Sequence, residues 1–437
     1  MWLLPVFSQL SSLAVRLFYR LEAAGGRVPP SGPALLVANH PNSLLDPAMV
    51  VAVARRPVRF LGKAPLFEDA RIGWLVKAAG SIPVYRRVDD PAAMGRNEDA
   101  FRAVHRALAG GAAVGIFPEG VSHSAPSLAP LKTGAARMAL GGAALLGRDF
   151  PVVPVGLTHR DKDTFRSAAL AVVGEPVEWA DLAGRGPDDA EAVQELTRRI
   201  AAALHEVTVN LERWEDAPLV EAAEAVYAAE LPVEPGPAAR VARLRAAAEG
   251  LARLRAEERE AWDRVAREVA QHARVLRVLG LHPRELRAAP RTLAAAEWTV
   301  RQAAFFLLGA PLAALGVLAY WLPYRLTGVA EARARPPEDI RATYKALFGG
   351  ALHVVWTLLL AGVAAWRGGL VAGAAVLVAL PLAGVAALHV LERWGRSVGE
   401  ARRFFLRLRR RETLDELRAR QRALAGRLHA LWEEVRA

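Results

Sequence analysis

Cysteine is absent from the 437 residues. That excludes disulfides, thiolate nucleophiles, cysteine zinc sites and iron–sulfur clusters. No H-E-x-x-H or paired spacing occurs among the 10 histidines, so no metal site is expected. Negative charge is in the minority: 45 Asp and Glu stand against 57 Lys and Arg, a net +12 and a pI near 10.6. Low apolar content is not among the deficits. Hydrophobic residues make up 53% and the mean hydropathy is +0.16, which excludes disorder for most of the chain. The basic balance leaves two polyanions as partners, nucleic acid or an anionic membrane surface.

The distribution of apolar residues chooses between them. Three runs carry no Asp, Glu, Lys or Arg: 302–324, 346–366 and 368–391. Each, as a helix at about 1.5 Å per residue, is roughly 30–36 Å long, enough for a hydrocarbon core. Arg367 and two glycines separate the second and third runs and predict a tight helical hairpin. From 392 to 437 there are 13 Arg and 7 acids, so the positive-inside rule places this tail in the cytoplasm. The loop 325–345 is also basic, so the hairpin should start and finish inside. Pro311 and Pro323 interrupt the first run, with Gly309 close by. A re-entrant or broken, shallow helix is therefore expected there, with a full span as the alternative.

Near the N-terminus, Leu10, Leu13, Leu17, Phe18 and Leu21 recur at helical spacing, with Gln9, Ser12, Arg16, Arg20 and Glu22 on the other face. This predicts an interfacial helix over 1–24. No basic n-region precedes it and no small-residue cleavage pattern follows, which argues against a secretory signal.

From 25 to 215 short apolar runs alternate with helical stretches. Residues 34–38, 58–61, 81–84, 113–117, 152–157 and 169–174 read as strands, with helices over 97–109, 134–146 and 190–214. Such alternation predicts an α/β fold, a sheet flanked by helices. The Pro-rich stretch 231–237 is a linker. A helical region over 216–300 follows, including a pair marked by Val241, Leu244, Ala248 and Leu251 and by Trp262, Val265 and Val269. A membrane region over 301–391 and a basic helical tail over 392–437 complete the expected organisation. Leu414, Leu417, Leu424, Leu428 and Leu431 in the tail hint at a coiled coil.

Three constellations carry chemistry. The first runs from Asn39-His40 through Asn42 to Asp46-Pro47, between a strand and a helix. A histidine leaving a strand, with a carboxylate six residues on, can form a dyad. The carboxylate holds the imidazole tautomer and stabilises the imidazolium, so the histidine can take a proton from an attacking hydroxyl. No serine motif of the G-x-S-x-G type accompanies it. The second is Gly80 to Arg86, where an arginine just past a strand can bind phosphate bidentately. The third is Phe117-Pro118-Glu119-Gly120-Val121-Ser122-His123, with Lys132 shortly after. It ends another strand, where ligands of α/β sheets bind.

These blocks, in this order, resemble the phospholipid/glycerol acyltransferase family. Asn39-His40, Gly80 with Arg86, Phe117 to Gly120, and Val153-Pro154-Val155 match its blocks in turn, over about residues 30–215. Two features depart from the commonest pattern. Five residues rather than four separate His40 from Asp46, and Val121-Ser122-His123 continues the third block. Both are similar to the fungal-type glycerol-3-phosphate and dihydroxyacetone-phosphate acyltransferases. His40, Asn42, Asp46-Pro47, Ser81 to Arg86, Ser122-His123 and Pro130 to Gly134 fit that branch, and hydrophobic C-terminal segments are similar in it too.

The resemblance implies an acyltransferase-type α/β sheet followed by helices and C-terminal transmembrane helices. It implies transfer of a fatty acyl group from an acyl-CoA or acyl carrier protein thioester to the sn-1 hydroxyl of glycerol 3-phosphate or dihydroxyacetone phosphate, in phospholipid biosynthesis. His40 and Asp46 would be catalytic. Arg86, Glu119, Gly120, Lys132, Ser122 and Asn42 would serve substrate binding, with Lys63 facing phosphate or donor. Backbone N–H groups around Gly120 would steady an oxyanion or a phosphate oxygen. His123 divides evenly between site lining and scaffold, while His105, His159, His272 and His353 read as structural. No metal or other cofactor is required. Partners are the phospholipid membrane and the two substrates, not nucleic acid. The Ala/Arg-rich composition points to a bacterial inner membrane, with catalytic domain and tail facing the cytoplasm. A lysophosphatidic acid acceptor, a catalytically silent lipid-binding protein and a nucleic-acid binder are the alternatives.

Overall fold

Strands of three to eight residues, most of them apolar runs closed by turns, build one seven-stranded sheet. The computed structural model describes residues 4–70, 72–85, 97–286, 292–409 and 411–436. Helix α1 (Leu4–Phe18) leads into β1 (Arg20–Gly25), β2 (Ala34–Ala38), α2 (Leu45–Ala54) and β3 (Val58–Lys63). Two short helices, α3 (Pro65–Glu68) and α4 (Gly73–Ala78), precede β4 (Ile82–Val84). Then come α5 (Asn97–Ala109), β5 (Ala113–Ile116), α6 (Gly134–Leu146), β6 (Val152–His159), β7 (Ala168–Val173) and α7 (Ala190–Val207).

The sheet order is β1-β7-β6-β2-β5-β3-β4. Every adjacent pair is parallel except the β6–β7 hairpin. All five residues of β2 are buried, as a central strand covered on both faces requires, so its sequence shows no polar alternation. Leu35, Val37, Val104, Leu108, Val114, Leu140, Val152, Leu196 and Leu204 pack into one core between sheet and helices.

The N-terminal segment differs from the expected helix. Arg20, Leu21 and Glu22 belong to β1, paired with Ala168, Ala169 and Leu170. Sheet pairing wins over helical spacing because β1 caps the open edge of β7. Helix α1 itself is two-faced. Ser8, Val15 and Phe18 are buried, while Val6, Leu10, Leu13 and Leu17 point outward. Phe18 therefore leaves the exposed stripe for the core.

The chain divides into two compact units. Unit 1 comprises Met1–Asp216, Glu234–Ala248 and Pro337–Thr343, and unit 2 the remaining Ala217–Val233, Glu249–Pro336 and Tyr344–Ala437. Along the rest of the chain run α8 (Ala217–Glu230), α9 (Pro237–Glu257), α10 (Arg259–Leu279), α11 (Thr292–Ala334), α12 (Glu338–Arg409) and α13 (Arg411–Arg436). In unit 2 the tail leucines are spent on the chain's own helices. Leu424 packs with Ala223, Val226, Val265 and Val269, and Leu414 and Leu417 with Leu276, Leu281 and Leu286. His272 Nε2 and Gln421 Oε1 lie 3.1 Å apart inside this contact.

Among the described residues, two helices are long and apolar enough to cross a membrane, one within α11 and one within α12. Their apolar side chains face outward: Leu307, Leu308, Leu318, Leu370 and Val371 are all more than three-quarters exposed. A buried soluble core helix would show the opposite. The first run is not broken at its prolines, because α11 continues as a helix through Pro311 and Pro323. Carbonyls freed by proline are tolerated in an apolar helix when neighbouring helices re-satisfy them. Helix α12 folds back at Gly369, whose φ of 82° and ψ of 171° are open only to glycine, as the Arg367-Gly-Gly junction predicted.

Candidate active site

The parallel strands deliver the motif residues to one edge of the sheet. His40 follows β2, Phe117 and Glu119 follow β5, and Lys63 ends β3 beside Val84 of β4. This is the carboxyl edge, where α/β sheets hold ligands. Asn39 fixes the exit of β2. Its side chain donates to Leu157 O at 3.0 Å and accepts from Leu157 N at 2.7 Å, extending the sheet ladder onto β6.

His40 and Asp46 form a dyad, with Nδ1 to Oδ2 at 2.8 Å. Asp46 lies in the first turn of α2 and is fully buried. The same Oδ2 accepts the Asn42 backbone N–H at 2.6 Å, so the carboxylate locks the loop that carries the histidine. With Nδ1 tied back, Nε2 is the nitrogen left to work, on an imidazole 18% exposed. The ring stacks on Phe117 at 3.9 Å and 8°, which fixes its plane. Phe60 stacks on Phe117 in turn, at 5.6 Å between centroids.

Glu119 is 2% exposed and holds the surrounding loops together. Oε1 accepts the His40 backbone N–H at 2.8 Å, and Oε2 accepts Ala129 N–H at 2.8 Å and His123 Nε2 at 2.5 Å. Three of the chain's own donors thus occupy the carboxylate expected to meet substrate. His123 Nδ1 accepts from Ala125 N at 3.1 Å, so Nε2 carries the proton given to Glu119. Of its two readings, scaffold is the one the geometry carries.

Two further expected binding residues also face the protein. Asn42 is fully buried and donates to Tyr19 Oη at 2.6 Å and to Lys162 O at 3.2 Å. Ser122 Oγ accepts from Ser43 N at 3.0 Å, holding Ser43 at a φ of +47°. The Gly120 N–H is spent on Phe117 O at 3.0 Å, so this amide does not wait for an oxyanion. Gly120 has a φ of +75°, and a Cβ there would lie 2.6 Å from Lys132 Nζ. The missing side chain is what lets the exposed Lys132 ammonium lie over the loop. Arg86 lies outside the described residues. Of the neighbouring described residues, Asn97 accepts from Tyr85 N at 2.8 Å and donates to Tyr85 O at 2.6 Å.

Three residues at the site escaped motif reading. Lys162, from the β6–β7 turn, donates to Ser124 Oγ at 2.5 Å and to Pro41 O at 3.4 Å, bringing a second cation beside the His40 loop. Tyr19 donates to Lys162 O, and burial with the nearby Asp46 charge pushes its phenol pKa up. His159 lies behind the dyad, with Nε2 3.8 Å from Asp46 Oδ1, and full burial pushes its pKa down. Only spatial neighbourhood links them to the motif, at sequence distances a spacing rule does not reach.

Residues 20–158 match the family model described as Acyltransferase. That segment is an acyltransferase-family domain. It contains the dyad, the Glu119 clamp, β1 to β5 and all of β6 but His159. Among curated proteins, glycerol-3-phosphate O-acyltransferase 2 of Saccharomyces cerevisiae is 38% identical over 134 residues, covering 30% of this chain and 18% of that protein. Glycerol-3-phosphate O-acyltransferase 1 of the same yeast is 33% identical over 135 residues, covering 29% of this chain and 17% of the relative. The chain thus spans less than a fifth of either. An uncharacterized acyltransferase of Schizosaccharomyces pombe is 26% identical over 307 residues, covering 49% of this chain and 45% of that protein. Among solved structures, the 1-acyl-sn-glycerophosphate (LPA) acyltransferase of Thermotoga maritima is 18% identical with a TM-score of 0.35, covering 46% of this chain and 76% of that one.

Proposed function

We propose that the acyltransferase domain moves a fatty acyl group from an acyl-CoA or acyl carrier protein thioester to the sn-1 hydroxyl of glycerol 3-phosphate or dihydroxyacetone phosphate. The observation that carries this reading is the 2.8 Å bond between His40 Nδ1 and a fully buried Asp46 at the carboxyl edge of the sheet. His40 Nε2 takes the hydroxyl proton as the oxygen attacks the thioester carbonyl. The new C–O bond forms, the C–S bond breaks, and the imidazolium returns its proton to the departing sulfur. Asp46 stabilises the imidazolium without being protonated itself. Such base catalysis contributes about 10²–10⁴-fold. The reaction needs neither a metal nor a cofactor beyond the thioester co-substrate.

Phosphate recognition falls to cations, with Lys132 beside Gly120, Lys162 beside Pro41, and Arg86 as the bidentate partner. The acceptor rests on the yeast relatives, both glycerol-3-phosphate O-acyltransferases by name, and on the spacing of His40 and Asp46. A lipid-like product suits the outward leucines of α1 and the apolar helices: the phosphate stays in water while the acyl chain enters the bilayer. The protein works at a phospholipid membrane, with the domain and the basic tail on the cytoplasmic side.

The test is acyl transfer on detergent-solubilised chain, from palmitoyl-CoA to glycerol 3-phosphate, dihydroxyacetone phosphate or 1-acylglycerol 3-phosphate, each beside His40→Ala. His40-dependent product from either of the first two supports the reading. Product from the third alone overturns the acceptor, and product that survives His40→Ala overturns the mechanism.

A further inference from the structure

Helix α11 has 43 residues, and at about 1.5 Å each it is some 64 Å long, twice a bilayer core of about 30 Å. Its neighbours follow an unusual path. From Trp298 to Gly316 it runs along the second arm of α12. Trp298 Nε1 donates to Glu400 at 2.8 Å, Arg393 Nε donates to Gln302 at 2.9 Å, and the Phe306 and Trp394 rings are 5.3 Å apart. A Cβ at Gly316 would strike the Ala383 carbonyl. Then α11 changes arms. Trp356 Nε1 donates to Ala319 O at 2.8 Å, Tyr320 and Thr357 hydroxyls are 2.8 Å apart, and a Cβ at Gly349 would meet Thr327.

The two arms fold back on each other next to the turn. They turn at Gly369, and a Cβ at Gly373 would touch Ala365 and Ala361. Partners along α11 therefore start far from the turn, come nearest to it around residues 316–320, and move away again. Thr357, nearest to the turn of the first-arm partners bonded to α11, is still about 18 Å short of it along the helix. Both ends of α11 lie towards the open end of the hairpin.

Connectivity leads to the same place independently. Unit 1 contains residues before α11 and residues 337–343 after it. Arg341 Nη1 lies 3.1 Å from Asp163 Oδ2, in the β6–β7 turn of the same unit. Loops and a seven-stranded open sheet cannot pass through hydrocarbon, so unit 1 stays in one aqueous phase. Within unit 2, α8 and α10 precede α11, while α13 follows α12 and packs on both. The chain thus returns to its starting side after α11, and again after α12.

We infer that α11 does not cross the bilayer: it enters one leaflet to about the middle of the core and returns to the same side, packed on a two-span hairpin made by α12. The arms 346–366 and 370–391 are each about 32 Å long, matching the hydrocarbon core. Trp366, 82% exposed, and Arg367 then reach the far headgroup layer, where an aromatic ring is favoured and a charge is tolerated. The outward leucines of α11 face acyl chains, while 325–345 and the tail lie by anionic headgroups on one face.

A chain without cysteine is suited to the test. Single variants Glu297→Cys, Ala332→Cys, Leu370→Cys and Ala430→Cys would be exposed, in sealed inside-out vesicles of the expressing cell, to a membrane-impermeant maleimide. The expected pattern has 297, 332 and 430 labelled alike, and 370 labelled only after detergent. Val371→Cys, at a position 84% exposed, gives a second reading of the turn if Leu370→Cys does not accumulate. Opposite labelling of 297 and 332 would mean that α11 crosses and would overturn the inference. Labelling of both 370 and 371 together with the rest would overturn the two-span hairpin. Acyl transfer is not the readout, so the outcome is independent of the catalytic reading.

Discussion

His159 Nε2 lies 3.8 Å from Asp46 Oδ1, the carboxylate oxygen that His40 does not use. Oδ2 accepts from His40 and from the Asn42 backbone, while among the described residues Oδ1 and both His159 ring nitrogens have no hydrogen bond. Buried polar atoms in this state cost stability and persist at functional sites. Burial keeps His159 neutral, so its ring dipole, not a full charge, acts on Asp46. His159→Leu removes the orphaned nitrogens and is expected to be neutral or about 1 kcal/mol stabilising. It should also lower kcat about tenfold, a barrier change of ~1.4 kcal/mol, with little change in KM for either substrate. Paired melting and kinetic measurements check this; a loss of melting temperature together with unchanged kcat would make His159 an ordinary packing residue.

The pH dependence of stability follows from the same burial. His159, His105 and His272 are each held below the usual imidazole pKa by desolvation. Below an unfolded pKa of about 6.5 the unfolded chain binds more protons than the folded one, so stability falls as pH falls. It is fully present above that value and lost progressively through the lower folded pKa values. Melting of the solubilised chain between pH 7.5 and 5 should show this loss, and His159→Leu should shallow it. A melting temperature flat across that range would contradict the burial argument.

Much of this arrangement is legible in the sequence. The strands 34–38, 113–117 and 152–157 announce themselves as apolar runs, and β2 occupies Ala34–Ala38. The His40–Asp46 dyad follows from local spacing because a strand end and the next helix turn bring six residues round on themselves. Residues that work through distant neighbours are a different matter. Glu119 reads as a ligand for substrate until His40 N, Ala129 N and His123 are seen to fill it. Leu21 fits a helical stripe until β7 offers it a ladder, a non-local choice that local periodicity does not encode. Helices long and apolar enough to cross a membrane are legible by composition, but the inference that α11 returns to its starting side draws on Arg341 and Asp163, 178 residues apart.

Glu119 offers a way to separate clamp from ligand. Gln at this position keeps one acceptor oxygen but turns an NH₂ towards donors. Charge-assisted bonds of this kind contribute about 1.5–3 kcal/mol. Glu119→Gln is therefore expected to lower melting temperature and kcat together, by at least tenfold in kcat. A substrate contact would instead raise acceptor KM in a protein of normal stability. Urea or thermal melting beside steady-state kinetics distinguishes the two.

Gly120 and Lys132 make the phosphate argument testable without Arg86. At a φ of +75° a Cβ is strained, and this one would lie 2.6 Å from the Lys132 ammonium nitrogen. A left-handed conformation costs a non-glycine residue roughly 1–2 kcal/mol, so Gly120→Ala should still fold. The lysine tip must move away, and with it a charge beside the loop that carries Glu119. Gly120→Ala and Lys132→Met should therefore share one signature: a raised KM for the phosphorylated acceptor, with donor KM close to that of the unaltered chain. The double variant should be no worse than either single one, because both remove the same cation from the same place. Fully additive losses would mean that Lys132 and the Gly120 turn act separately, and a rise in donor KM alone would move the lysine to the thioester side of the site.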